Sequence, residues 1–308
     1  RHQDGYGSHT FQWLNAKGEA FWVKYHFKTR QGWDCFTDEE AQEMAGKNAD
    51  YQREDLFNAI EHGDYPIWDV KVQIMPFAEA ETYRYNPFDL TKTWSHKDYP
   101  LIDVGYFVLN RNPVNYFAQI EQLAFDPANL VPGVGLSPDR MLMARAFAYA
   151  DAHRYRIGPN YRQLPVNQPV HPVNTYAHQG PMAYQFNPAS APVYTPNRFD
   201  KGAGYLDDGV SSNSGYGVAD ELFINPDPHG TDLGRAPYVA HPEDDDFGQA
   251  GILYREVMDD GAKDRLAHNI TNAMVGVSPE TEQRCYWYWD QVDPQLGAEV
   301  RKRFAAKK

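Results

Sequence analysis

An arginine and a tyrosine four residues apart, Arg145 and Tyr149, share one face of a helix that the sequence predicts from Ser137 onward. Met141 lies one turn earlier on that face. A guanidinium beside a phenol oxygen favours the phenolate. A phenolate is a hard anion suited to ferric iron, and tyrosine is one of the recognised axial ligands of haem. The pair can therefore make an iron ligand. Arginine and tyrosine at helical spacing are also common in ordinary packed helices, so spacing alone favours a structural pair and the surrounding residues must decide. A second group lies earlier. His26 and Lys28 share a strand face, and Trp94 and His96 follow in Thr93-Trp94-Ser95-His96. Imidazoles and an ammonium can hold phosphates and an indole can stack, but a solvated strand face beside a surface loop has the same composition. No GxGxxG fingerprint is present, so a Rossmann site is not the route to a nucleotide.

The elements that must position these residues begin with strands. His9–Asn15 alternates and ends at the turn Ala16-Lys17-Gly18. Along Glu19–Lys28, Phe21, Val23, Tyr25 and Phe27 fall on one face and Trp22, Lys24, His26 and Lys28 on the other. Two helices follow, the first opened by a capping box of Thr37 and Glu40, the second by Asp50 and carrying Leu56, Phe57 and Ile60. Trp68–Met75 and Gly105–Leu109 read as further strands, and Asn115–Leu123 as helical. Pro138 in the first turn marks the start of the helix from Ser137. These strands make only part of a sheet, and an isolated part would expose unpaired edges. Between Gly158 and Phe247 periodicity disappears, and the stretch holds 12 of the 22 prolines, which excludes a bundle or central strands. Its tyrosines and phenylalanines suit an extended arm lying on other surfaces, as around a partner subunit. Leu253, Tyr254, Val257 and Met258, then Leu266, Ile270 and Met274, repeat at helical spacing, and Ser278-Pro279 and Asp293-Pro294 are N-cap signals, so about four short helices are expected at the end.

The 308 residues suffice for about two domains and a substantial core, and the aromatic share of 14% suits a cofactor cavity. A net charge of −13 argues against nucleic acid and anionic membranes as partners. Cys35 and Cys285 are far apart and form no CxxC, which excludes a cysteine zinc site and makes a reducing, cytoplasmic setting the default. No apolar run approaches the roughly 20 residues that span a bilayer. The chain opens on Arg1 without a signal-peptide pattern, so an earlier segment is expected to belong with it.

The string Arg145-x-Phe-x-Tyr149-x-Asp-x-His153-Arg-x-Arg156-x-Gly-Pro-Asn-Tyr161 resembles the proximal haem-ligand signature of the catalase family. Matches in the same order are Arg1–Phe11, Leu56–Ile60, Asn86–Lys92, Leu109–Phe117, Gln122–Pro127 and Gly180–Met182, and the helical pattern after about residue 240 agrees more loosely.

This resemblance, to the small-subunit monofunctional haem catalases, implies an α+β fold. The expected parts are part of an antiparallel eight-stranded barrel with inserted helices (1–111), haem proximal-side helices (112–157), a wrapping arm (158–240) and a C-terminal helical domain (241–308). It implies that Tyr149 is the axial ligand of a ferric haem b, that Arg145 bonds the phenolate, and that His9 and Asp139 extend the network behind Arg145. Arg156 is implied at a propionate, and Phe125, Met141 and His153 around the macrocycle. His26, Lys28, Trp94 and His96 match positions that hold NADPH in many members. The implied reaction is disproportionation of hydrogen peroxide to water and oxygen in a homotetramer. The family's distal histidine and asparagine have no counterpart here, so the chain is expected to give the proximal side, with the distal part as a separate N-terminal segment. The alternatives are a non-catalytic haem- or NADPH-binding fragment and, from another enzyme class, a hydroperoxide-converting haem enzyme.

Overall fold

The computed structural model describes residues 1–131, 133–168, 170, 179–184 and 240–307. Its centre is an antiparallel sheet of six strands: β1 (Gly5–Tyr6), β2 (Phe11–Leu14), β3 (Ala20–Thr29), β4 (Ile67–Pro76), β5 (Ile102–Val108) and β6 (Val134–Gly135). The order is β5-β4-β3-β2-β6, with β1 also paired to β3. The long β3–β4 ladder runs from Phe21 opposite Pro76 to Thr29 opposite Trp68. Beyond Val70 the β4–β5 register shifts, and Val104 becomes the extra residue of a bulge. Gly105, at φ 154°, takes the backbone conformation beside it that side chains disfavour. All the pairings are antiparallel, as expected for part of a barrel.

Both faces of β3 carry buried side chains, so the solvated strand face weighed as the alternative to a nucleotide site does not form. Val23 is fully buried on one side. On the other, Trp22 joins Met75, Ala80, Tyr83, Tyr85 and Trp94 in one core cluster, and Lys24 and His26 are buried beside it. Alternation records which residues share a face but not what covers it.

Between β3 and β4 lie α1 (Asp38–Lys47) and α2 (Tyr51–Glu61). The Thr37–Glu40 capping box forms as expected. Asp50 makes no side-chain cap on α2 and instead pairs with Arg53 at 2.6 Å. A π-helical turn covers Phe117–Glu121 within the segment read as helical. The helix read from Ser137 begins three residues later, as α3 (Arg140–Arg156), with Asp139 at its N-cap. Ser137 donates to the Thr10 carbonyl instead, tying this turn to the end of the sheet.

The C-terminal part is helical. A short α4 (Gly248–Ile252) runs into a π turn, followed by α5 (Asp260–Ala273), α6 (Pro279–Val292) and α7 (Pro294–Ala305). Ser278 and Asp293 cap α6 and α7 as the sequence indicates. Ile270, Met274, Tyr286, Leu296, Val300 and Phe304 form their core. This bundle docks on the loop after β4: Glu243 N–H donates to Arg84 O at 3.0 Å, and Gln249 accepts from Thr93 N–H at 2.9 Å. Most of the arm expected over 158–240 lies outside the described residues.

Candidate functional site

The site is built where the start of β2 meets the N-terminus of α3. Asp139 Oδ1 accepts the Met141 and Leu142 amides at 2.9 and 3.1 Å, satisfying donors that a helix start leaves open. Its other oxygen, Oδ2, accepts from His9 Nδ1 at 2.6 Å, and both side chains are almost wholly buried. His9 Nε2 lies 2.8 Å from Arg145 Nη1. Arginine can only donate, so Nε2 accepts and the proton of a neutral His9 sits on Nδ1, facing Asp139. Arg145 Nη2 donates to the Tyr149 phenol oxygen at 3.0 Å, with the guanidinium 5.1 Å from the ring centroid. A single line of hydrogen bonds therefore runs from a buried carboxylate to one partly exposed phenol oxygen. The carboxylate sets the tautomer of the histidine, and the histidine holds the guanidinium.

The surroundings of Tyr149 come from three segments. His153, one turn on, is buried and contacts the rings of Tyr149 and Tyr161 at 6.1 and 5.4 Å between centroids. Its Nε2 donates to Phe125 O at 2.6 Å, fixing the loop that carries Phe125. Phe125 and Met141 present exposed apolar side chains, at 71% and 52%. Arg156 donates to Glu121 O and Leu123 O at 2.5 and 2.6 Å, so its guanidinium braces the end of the π turn. Tyr149, Arg145, His153 and Arg156 share one face of α3.

This donor set suits a metal that arrives in a macrocycle. Among the described residues, no group of three His, Cys, Asp or Glu side chains could hold a bare ion. The Tyr149 oxygen has one strong donor on one side and keeps acceptor capacity on the other. Haem needs one protein ligand of this kind, and apolar neighbours to cover its faces. The residues present fit it.

The second group is arranged differently. His26 Nε2 bonds Gln73 Oε1 at 2.9 Å, and burial holds its pKa below the usual histidine value. Lys28 is engaged by Asp4 at 2.9 Å and by Tyr6 OH at 2.7 Å. Trp94 is 2% exposed inside the aromatic cluster, and His96 meets His26 edge-on at 5.8 Å. Two buried nitrogens here, His26 Nδ1 and Trp94 Nε1, have no hydrogen-bond partner among the described residues.

The sequence profile of the Catalase family matches residues 1–201, and that of the Catalase-related immune-responsive family residues 240–304. The chain belongs to the catalase family. As a catalase-family chain it is 49% identical to the catalase of an Onchocerca volvulus endobacterium, over 96% of its own length and 58% of the relative's. It is 49% identical to catalase A of Pseudomonas putida, over 98% of its length and 60% of that protein's. Among solved structures it superposes on a bacterial catalase with a TM-score of 0.88 at 69% identity, covering 100% of the chain and 60% of that structure. Catalase A of Saccharomyces cerevisiae superposes with a TM-score of 0.80 at 39% identity, covering 97% and 59%. The chain thus spans about three-fifths of the length of these relatives.

One residue of this catalase-family chain escaped the sequence reading. Lys24 is 8% exposed, and its ammonium reaches Ser8 O, next to His9. The signal available was a lysine between Val23 and Tyr25 in an otherwise apolar run, but its neighbours His26 and Lys28 made that face look solvated.

Proposed function

We propose that the protein carrying this chain disproportionates hydrogen peroxide to water and oxygen, and that this chain supplies the proximal side of its haem site. The observation that supports this reading is the unbroken line Asp139–His9–Arg145–Tyr149, which ends on a phenol oxygen open on one side. Haem, when bound, supplies the redox chemistry that passes between one peroxide and the next.

The chain's own residues hold charge and exclude water. Tyr149 would hold the haem iron through its phenolate oxygen. Arg145 stays protonated and directs one N–H at that oxygen, leaving the phenolate electron-rich while holding its charge in place. His9 accepts from Arg145 through Nε2 and keeps its proton on Nδ1, so the guanidinium has a neutral neighbour on one side and an anion on the other. Asp139 sets this tautomer, and the α3 amides hold Asp139 in turn. Met141, Phe125 and His153 would lie against the haem, and Arg156, two turns beyond Tyr149, would offer a propionate the donor capacity that Glu121 O and Leu123 O leave over. The acid–base handling of peroxide is assigned to a histidine and an asparagine in the part of the family's length that lies outside this chain. The sheet is assigned to an eight-stranded barrel completed by the same part, and the assembly to a homotetramer.

The test is an absorption spectrum of the purified protein joined to oxygen release from hydrogen peroxide. A ferric haem Soret band with oxygen release is expected, and both are lost in Tyr149→Phe. A Tyr149→Phe protein that retained haem and full activity would rule out the ligand role.

A second reading is that the chain binds a nucleotide such as NADPH, with or without turnover. The unpartnered His26 Nδ1 and Trp94 Nε1, beside His96 and Lys28, favour it. Quenching of tryptophan fluorescence on addition of NADPH tests it, and no change at saturating nucleotide would dismiss it.

A further inference from the structure

We propose that Lys24 is a positioning residue for the proximal relay: its ammonium holds the Ser8 carbonyl and so keeps the left-handed turn that presents His9 to Asp139 and Arg145. This rests on the relay reading above.

His9 is delivered by an unusual piece of backbone. Ser8 has φ 59°, one of two non-glycine residues with positive φ among the described residues. The turn around it is closed by His9 N–H donating to Gly7 O at 2.6 Å. A tight three-residue turn of this hand is strained for an L-residue, and strain of this kind persists only where neighbours hold it. On one side the turn is tied to β3 by Gly7 N–H donating to Tyr25 O at 2.9 Å. On the other, the Ser8 carbonyl accepts from Lys24 Nζ at 3.3 Å. The remaining anchors of Lys24 are fixed. It donates to Lys92 O at 3.3 Å, and its ammonium lies 5.6 Å from the Trp94 ring centroid.

Burial of an ammonium is costly unless its donors are matched. Desolvation lowers the Lys24 pKa to about 8 despite the opposing pull of Asp139 and Asp89. An apolar residue would fill the same volume at lower cost, whereas a donor at this point restrains the carbonyl immediately before His9. Lys24 touches neither Tyr149 nor Arg145 and acts through the turn.

The test uses the whole protein with Lys24→Met, and the same variant carrying Ser8→Gly, a residue that adopts positive φ without strain. In Lys24→Met, a crystal structure is expected to show Ser8 leaving its positive φ and His9 Nε2 drawing away from Arg145. Haem affinity in a hemin titration is expected to fall about 10-fold, as for other outer-shell partners of metal ligands. Adding Ser8→Gly is expected to recover most of that loss, which a lysine serving only as core filler would not allow. Unchanged Ser8–His9 geometry and haem affinity in Lys24→Met would overturn the inference, as would failure of Ser8→Gly to rescue. Should Lys24→Met not fold, Lys24→Gln keeps a donor without the charge and is read by the same measurements. The geometry readout does not depend on iron ligation, so a failed ligand role, seen in Tyr149→Phe, remains distinguishable from a failed Lys24 role.

Discussion

The relay behind Tyr149 and the His26–Lys28–Trp94–His96 group draw on similar residues, and one strand, β3, stands behind both. In the relay, each donor ends on an acceptor, and the series stops at a single oxygen with capacity to spare. In the second group the charges turn inward: Lys28 on Asp4, His26 on Gln73, and the Trp94 ring in the core. Residue type is therefore a weak indicator of a site. Direction of the hydrogen bonds, and where they leave an atom unsatisfied, separates the two regions.

The largest effect that would break this comparison is expected from Tyr149→Phe. It removes the open oxygen without disturbing packing, and haem retention should fall by more than the roughly 100-fold seen when outer-shell partners are lost. A hemin titration followed at the Soret band measures it. Next comes Asp139→Ala, which removes an N-cap worth about 1 kcal/mol and strands the buried His9 N–H at a cost of about 1–3 kcal/mol. Urea unfolding should show a lower midpoint for Asp139→Ala than for Asp139→Asn, which keeps a capping oxygen.

A third prediction follows from Lys24, which lies between the two regions. Its folded pKa of about 8 lies below the ordinary 10.5, so between those values the unfolded chain binds more protons. The burial cost of this group is full below about pH 8 and fades as pH rises, so its contribution to stability improves from about pH 8 to about 10.5. Denaturation curves across that window should show the gain in the parent protein and not in Lys24→Met. The smallest effect is expected at Lys28. Lys28→Ala loses a partly exposed pair worth about 0.2–1 kcal/mol, so its urea midpoint should barely move. A large loss of NADPH-dependent fluorescence quenching in the same variant would sharpen the comparison in favour of a second site.

Much of the fold was legible along the chain. The period-two pattern of Glu19–Lys28 and Trp68–Met75 marked the two longest strands, because alternation survives wherever one face of a sheet is buried. Thr37-x-x-Glu40, Ser278-Pro279 and Asp293-Pro294 marked helix starts, because capping is local chemistry. Asp50 and Ser137 misled because a capping residue type can be engaged elsewhere: Asp50 pairs with Arg53, and the Ser137 hydroxyl donates to the distant Thr10 carbonyl while the cap itself falls to Asp139. The relay was reachable only through the whole string around Tyr149, since an arginine and a tyrosine four apart carry little information alone.

By itself, the sequence determined that Arg145 and Tyr149 share a helix face and that the end of the chain is helical, since each depends on residues within a few turns of one another. It also carried the family's signature. Only the tertiary structure decided that His9, 130 positions before Asp139, meets it at 2.6 Å, and that Lys24 is buried under the turn before His9. Such contacts depend on sheet register and on what covers each face. Both emerge when distant segments pack together, and no local pattern encodes them.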